Sequence, residues 1–95
     1  MQPREAISIA KDYIKLIYED EGAFNIGLEE IEFDDHVWNV TVGFSRRWDR
    51  APKSPFVVAV LEGQDDRATA RTYKIVEVSD SNGEVLAVRN RPGLL

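Results

Sequence analysis

The chain has the pattern of one amphipathic helix, at its N-terminus, and every later regular segment has the pattern of a β-strand. Pro3 suits the first turn of a helix, where its missing N–H is not needed, and Gly22 suits the position after a helix. The pattern predicts a helix from about Pro3 to Asp20 that packs on a sheet through one apolar face. This face consists of Ala6, Ala10, Tyr13, Ile14 and Ile17.

Four later segments are predicted to be β-strands, and the strict alternation of the second is typical of an antiparallel strand that has one buried face. We predict these strands over residues 28–34, 37–46, 69–79 and 84–88. The second is the clearest, and its apolar face consists of Trp38, Val40, Val42 and Phe44. A further segment, Phe56 to Leu61, is apolar on both faces, which is typical of a central strand.

Two turn signals separate these strands. Asp34-Asp35-His36 is expected to turn the chain between the first two strands, and Asn82-Gly83 predicts a tight hairpin near the C-terminus. Asn and Gly both tolerate the positive φ angles that a two-residue hairpin loop requires.

These elements predict an α+β fold, with one N-terminal helix packed across one face of a four- to five-stranded antiparallel meander sheet. Ninety-five residues are too few for two cores, so residues 1–95 are expected to form one domain, with residues 88–95 as a frayed tail. The predicted core consists of Ala6, Ala10, Tyr13, Ile14, Ile17, Trp38, Val40, Val42, Phe44, Val58, Val60 and Val85.

Composition disfavours several classes of function. The chain has no cysteine, so it offers no disulfide and no thiolate ligand, and a reducing compartment suits it. The net charge is −5, and residues 1–35 hold ten acids against three bases, which disfavours binding to the phosphate backbone of nucleic acids. Charged residues interrupt the first twenty positions, so we expect neither a signal peptide nor a membrane span. We therefore expect a cytoplasmic location.

Residues that could support catalysis are few. His36 is the single histidine, and a small enzyme would have to pair it with Asp34 or Asp35. Glu30, Glu32 and Asp34 alternate onto one strand face, but same-face residues lie about 6.6 to 6.8 Å apart, which is wide for joint coordination of one ion. We expect an acidic strip that faces solvent or a partner, and we predict no catalytic residue, metal site or cofactor.

The segment from residue 46 to residue 55 concentrates bases and a tryptophan in an otherwise acidic chain. Arginine and tryptophan often supply the binding energy of protein interfaces, so this segment is a candidate contact with a protein partner. Its predicted binding residues are Arg46, Arg47, Trp48, Arg50 and Lys53. In the alternative interpretation, Trp48 packs back onto the sheet and the arginines pair with the acidic first third of the chain.

One helix followed by a meander sheet resembles the PepSY-like and cystatin-like domains, and small members of the NTF2-like group have similar sheets. The segments that resemble them are residues 6–11, 38–42, 73–78 and 82–86. The resemblance implies an accessory or inhibitory module. We therefore predict a non-catalytic protein-binding module of accessory, inhibitor or immunity type. The alternatives are a small NTF2-like enzyme, a small-ligand-binding domain, and a homodimer formed through residues 56–61.

Overall fold

A computed structural model describes residues 1–46 and 71–92 of the chain. These residues form one helix and a four-stranded antiparallel sheet, in which each strand pairs with the next along the chain. The predicted α+β class is confirmed. In chain order the elements are α1 (Pro3–Ile17), a 3₁₀ turn (Glu19–Glu21), β1 (Phe24–Asp34), β2 (Val37–Ser45), β3 (Thr72–Ser79) and β4 (Val85–Asn90).

Helix α1 starts where the sequence predicted and ends earlier. The Glu5 carboxylate accepts a hydrogen bond of 2.9 Å from the Gln2 backbone N–H, which stabilises the first turn. The helix ends at Ile17 rather than at Asp20, and the chain tightens into the 3₁₀ turn before Gly22, which has φ of 67°. Three successive acids, residues 19–21, oppose the negative end of the helix dipole, so the acidic segment does not extend the helix.

Two strand boundaries also differ from the prediction. Strand β1 begins at Phe24 rather than at Leu28. The sequence pattern missed its first residues because irregular register on either side of Gly27 breaks the period-two alternation there. Strand β4 extends past Val88 to Asn90, which pairs with Lys74. Arg89 and Asn90 therefore belong to the sheet and not to a frayed tail.

The tight hairpin joins β1 to β2 rather than β3 to β4. Asp34 pairs directly with Val37, and the two loop residues, Asp35 and His36, have φ of 50° and 66°, as a type I′ turn requires. A hairpin does join β3 to β4 around Asn82-Gly83, but the prediction that its loop is tight is wrong.

Five residues, 80–84, connect β3 to β4. In this loop only Gly83 has a positive φ, of 74°, whereas the Asn82 side chain accepts a hydrogen bond of 2.9 Å from the Glu84 backbone N–H. Asn82 therefore acts through its side chain, as in an Asx turn, and the loop is wider than predicted.

The core lies between α1 and one face of the sheet. The fully buried apolar residues that the structure describes there are Ala6, Ala10, Ile14, Val40, Val42, Phe44, Val76 and Val78. This confirms six predicted core residues on α1 and β2.

The other predicted core residues differ in burial. Ile17 is 43 % exposed, which contradicts the prediction, because it is the last residue of the shortened helix. The next residue, Tyr18, packs against the core instead, with its ring centroid 4.8 Å from that of Phe44. Tyr13, Trp38 and Val85 are half-buried. Val58 and Val60 lie outside the described residues, as does the predicted central strand, and the central strands of the described sheet are β2 and β3.

Candidate partner-binding surface

The sheet has a second face, on the side away from α1, which we call the outer face. It is formed by the alternate residues that do not point toward the helix, and the strand register defines them. The outer face includes Glu30, Glu32, Asn39, Thr41, Gly43, Tyr73, Ile75, Glu77, Ala87, Arg89 and the following Arg91.

One row of residues crosses all four described strands. Glu30 pairs with Thr41, Thr41 with Ile75, and Ile75 with Arg89. Thr41 and Ile75 are only 4 % and 9 % exposed, so they form a low floor, whereas longer charged side chains rise from β1 and β4. The result is a depression of about 350 Å³ with an acidic rim and a basic rim.

The acidic rim consists of Glu30 and Glu32, which are both exposed. The register places Asp34 on the same face, at the hairpin end of β1, so the three acids form the strip that their spacing predicted. Within the described part of the chain, no three His, Asp or Glu side chains lie close enough together to hold a metal ion.

The basic rim is formed by two arginines with different surroundings. The Nε of Arg89 donates to the Glu77 carboxylate at 2.6 Å, and its Nη2 lies 3.3 Å from the Asn39 side-chain oxygen. Arg91 instead places its guanidinium carbon 4.1 Å from the centroid of the Tyr73 ring, in a cation–π contact. Its Nε is buried and makes no hydrogen bond to any residue that the structure describes.

Close packing at the far end of the outer face fixes this geometry. A Cβ placed on Gly43 would lie 2.9 Å from a ring carbon of Tyr73 and 3.1 Å from the Glu29 side chain. The absence of a side chain at Gly43 therefore lets Tyr73 lie close to β2. Arg71 closes this end, donating to the Asn25 carbonyl oxygen at 2.9 Å.

Of the partner-binding residues predicted from the sequence, only Arg46 is described. It directly follows β2, and its Nη1 forms an ion pair of 2.9 Å with the Glu21 carboxylate. This pair agrees with the alternative in which the arginines bind the acidic first third of the chain. Arg47, Trp48, Arg50 and Lys53 lie outside the described residues, so their role stays a prediction.

The residues of the alternative enzyme lie at the tip of the β1–β2 hairpin. His36 and Asp35 are exposed and form the type I′ turn, and the His36 carbonyl oxygen accepts a hydrogen bond of 3.0 Å from the Asp80 backbone N–H. The structural role of His36 is therefore in the backbone of the turn. It lies at the end of the sheet, away from Arg91 and Tyr73.

Beside this hairpin, Asp80 joins three parts of the chain. Its Oδ1 accepts hydrogen bonds of 2.9 Å from the Trp38 indole N–H and from the terminal ammonium of Met1. These two donors stabilise the carboxylate and lower the pKa of Asp80, the indole having the larger effect. The Trp38 ring also packs on Phe33, with ring centroids 4.6 Å apart.

Sequence reasoning missed Arg89 and Arg91, because it assigned them to a frayed tail. Their position opposite the acidic strip depends on the pairing of β2 with β3, whose residues Thr41 and Ile75 are far apart in the sequence. The available signal was the alternation of Ala87, Arg89 and Arg91, which continues the period of the last strand.

Comparison of the chain with protein-family models, with curated proteins and with solved structures found no match in any of the three. The resemblance to PepSY-like and cystatin-like domains therefore stays a prediction. Among residues 1–46 and 71–92, no helix is long and apolar enough to cross a membrane.

Proposed function

We propose that the chain is a non-catalytic protein-binding module of accessory, inhibitor or immunity type, and that its partner binds the outer face. The observation that supports this proposal is the row from Glu30 to Arg89, which sets an acidic rim and a basic rim on either side of a shallow depression. Charges of both signs on one exposed surface favour a partner with a complementary pattern, because such complementarity speeds encounter and rejects wrong partners.

The chemistry of this surface supports binding rather than catalysis. Catalysis needs a nucleophile or an activated water, a proton donor or acceptor, and a site that excludes solvent. The two arginines of the outer face are instead ion-paired or stacked, Arg89 on Glu77 and Arg91 on Tyr73, and the depression beside them is open.

The predicted contact through residues 46–55 is compatible with this proposal as a separate part of the interface. For location we propose the cytoplasm, because a chain without cysteine gains nothing from an oxidising compartment.

Site-specific photo-cross-linking in cells of the natural host tests the proposal. A photoreactive side chain replaces Glu32 on the outer face in one variant and Ala87 in another. Matched controls carry it at Ser8 and Lys15, which are exposed positions of α1. We expect both outer-face variants, and neither helix variant, to form a covalent adduct with the same second protein, identified by mass spectrometry.

Other patterns of cross-linking contradict the proposal. Adducts that form only from the two α1 positions would show that the partner binds the helix and not the outer face. Adducts of the chain with itself would favour the homodimer instead. Equal labelling of many proteins from all four positions would show that the outer face has no specific partner.

A further inference from the structure

We propose that the outer face binds an extended peptide segment that has a basic side chain and an acidic side chain four residues apart. The basic side chain pairs with Glu30 and Glu32, and the acidic side chain pairs with Arg91. This inference rests on the proposed function and adds the chemistry of the segment that the partner presents.

The acidic rim provides the site for the basic side chain. Glu30 and Glu32 are exposed, lie on the same face of β1, and form no ion pair with another described residue. Two carboxylates about 6.6 to 6.8 Å apart lie within reach of one lysine or arginine placed between them. The segment's base therefore meets two negative charges without displacing an internal partner.

The basic rim provides the site for the acidic side chain, and its two arginines are not equivalent. Arg89 is already held by Glu77 and Asn39, so a ligand carboxylate would compete with an internal carboxylate there. Among the described residues, Arg91 is held only through the face of its guanidinium, on the Tyr73 ring. Stacking of this kind fixes the plane of a guanidinium, and the edge away from the buried Nε is the one that a carboxylate can bind.

The distance between the rims sets the spacing of the two charges. Three gaps between strands, about 14 Å, separate Glu30 from Arg89 in the same row, and Arg91 lies two residues further along, so about 16 Å separate the backbones of Glu30 and Arg91. An extended peptide rises about 3.3 Å per residue, so residues four apart lie about 13 Å apart, and their side chains cover the remaining distance. Residues i, i+2 and i+4 of an extended peptide also share one face, so both charges can point toward the sheet.

The floor of the depression specifies the residue between the charges. Thr41 and Ile75 are nearly buried and present a methyl-rich surface of low height. The side chain at i+2 of the bound segment faces this floor, so a small or β-branched side chain fits there. A uniformly basic peptide would meet Arg91, and a uniformly acidic one would meet Glu30 and Glu32, so neither matches both rims.

An NMR titration of the intact chain tests this chemistry. The probe is a capped synthetic nonapeptide with one lysine and one glutamate four residues apart and valine midway between them. Control peptides of the same length carry two lysines, two glutamates, or adjacent lysine and glutamate. We expect the probe to shift the backbone amides of β1 and β4, and to bind at least about tenfold more tightly than every control, a difference of about 1.4 kcal/mol.

Variants of the chain locate the two charge contacts. We expect Arg91→Gln, and separately Glu30→Gln combined with Glu32→Gln, to weaken binding of the probe at least about fivefold. The matched control is Lys15→Gln combined with Glu19→Gln, which changes exposed charges beside α1 and should leave binding unchanged. Thermal unfolding of each variant confirms that it is folded.

Three results would overturn the inference. The first is the absence of any amide shift at about 5 mM probe, a concentration that detects millimolar binding. The second is equal binding of the uniformly charged peptides, and the third is unchanged binding of the probe by both sets of outer-face variants. If an outer-face adduct with a partner forms in cells while any of these is observed, the proposed function stands and this inference fails. If the probe binds but no partner is cross-linked, the protein-binding function fails.

Discussion

The contacts of Asp80 predict that the stability of the fold depends on pH. The Trp38 indole and the Met1 ammonium both donate to its carboxylate, so the pKa of Asp80 is lower in the folded chain than the value of about 3.9 expected in the unfolded chain. The folded state therefore binds this proton less readily than the unfolded state. Asp80 stabilises the fold fully above pH of about 4, and this stabilisation is lost as the pH falls through the folded pKa.

We expect Asp80→Asn to lower the free energy of unfolding at pH 7, and the difference from the wild-type chain to shrink as the pH falls below about 4. Urea unfolding at a series of pH values measures this. Trp38→Phe removes the indole donor and keeps an aromatic ring, so in that variant NMR titration should give a higher pKa for Asp80. A constant difference between wild type and Asp80→Asn from pH 7 to pH 2 would contradict the assigned contacts.

The hairpin between β1 and β2 shows how one turn determines the geometry of two elements. Asp35 and His36 both have positive φ, a conformation that costs a non-glycine residue energy. Glycine at the second loop position is the usual solution for a type I′ turn. We expect His36→Gly to stabilise the chain by up to about 1 kcal/mol, measured by urea unfolding.

A matched substitution separates this effect from a general effect of glycine. Ser8 is exposed on α1, where glycine is unfavourable, so Ser8→Gly should destabilise the chain by about 0.5 kcal/mol. If His36→Gly destabilises the chain as Ser8→Gly does, then the imidazole makes a contact that outweighs the strain in the turn.

The elements also show which sequence signals were sufficient. Strand β2 was predictable because Val40, Val42 and Phe44 alternate strictly with small or polar residues, and the structure buries all three. The end of α1 was not predictable, because the sequence placed it beside the stop signal at Gly22, whereas the helix dipole opposes the acidic 3₁₀ turn (Glu19–Glu21) before that glycine. The tight hairpin was misplaced because Asp-His is a weaker turn signal than Asn-Gly.

At the scale of the whole molecule, local pattern predicted the fold class, whereas the candidate site depended on long-range register. The acidic strip on β1 was visible from the spacing of Glu30, Glu32 and Asp34. Its position opposite Arg89 and Arg91 follows from three successive strand pairings, one of which joins residues far apart in sequence. Period-two alternation assigns side chains to faces but does not specify which strands pair.

The opposite rims of the outer face also make the described sheet an electric dipole, directed across its strands from β1 toward β4. A dipolar segment that diffuses toward this face experiences a torque before any contact forms, so it arrives already rotated toward its bound orientation. Dissolved ions screen this field within about 10 Å at 0.1 M salt. We expect added salt to slow association of the dipolar nonapeptide much more than it speeds dissociation, which relaxation kinetics at a series of salt concentrations would measure.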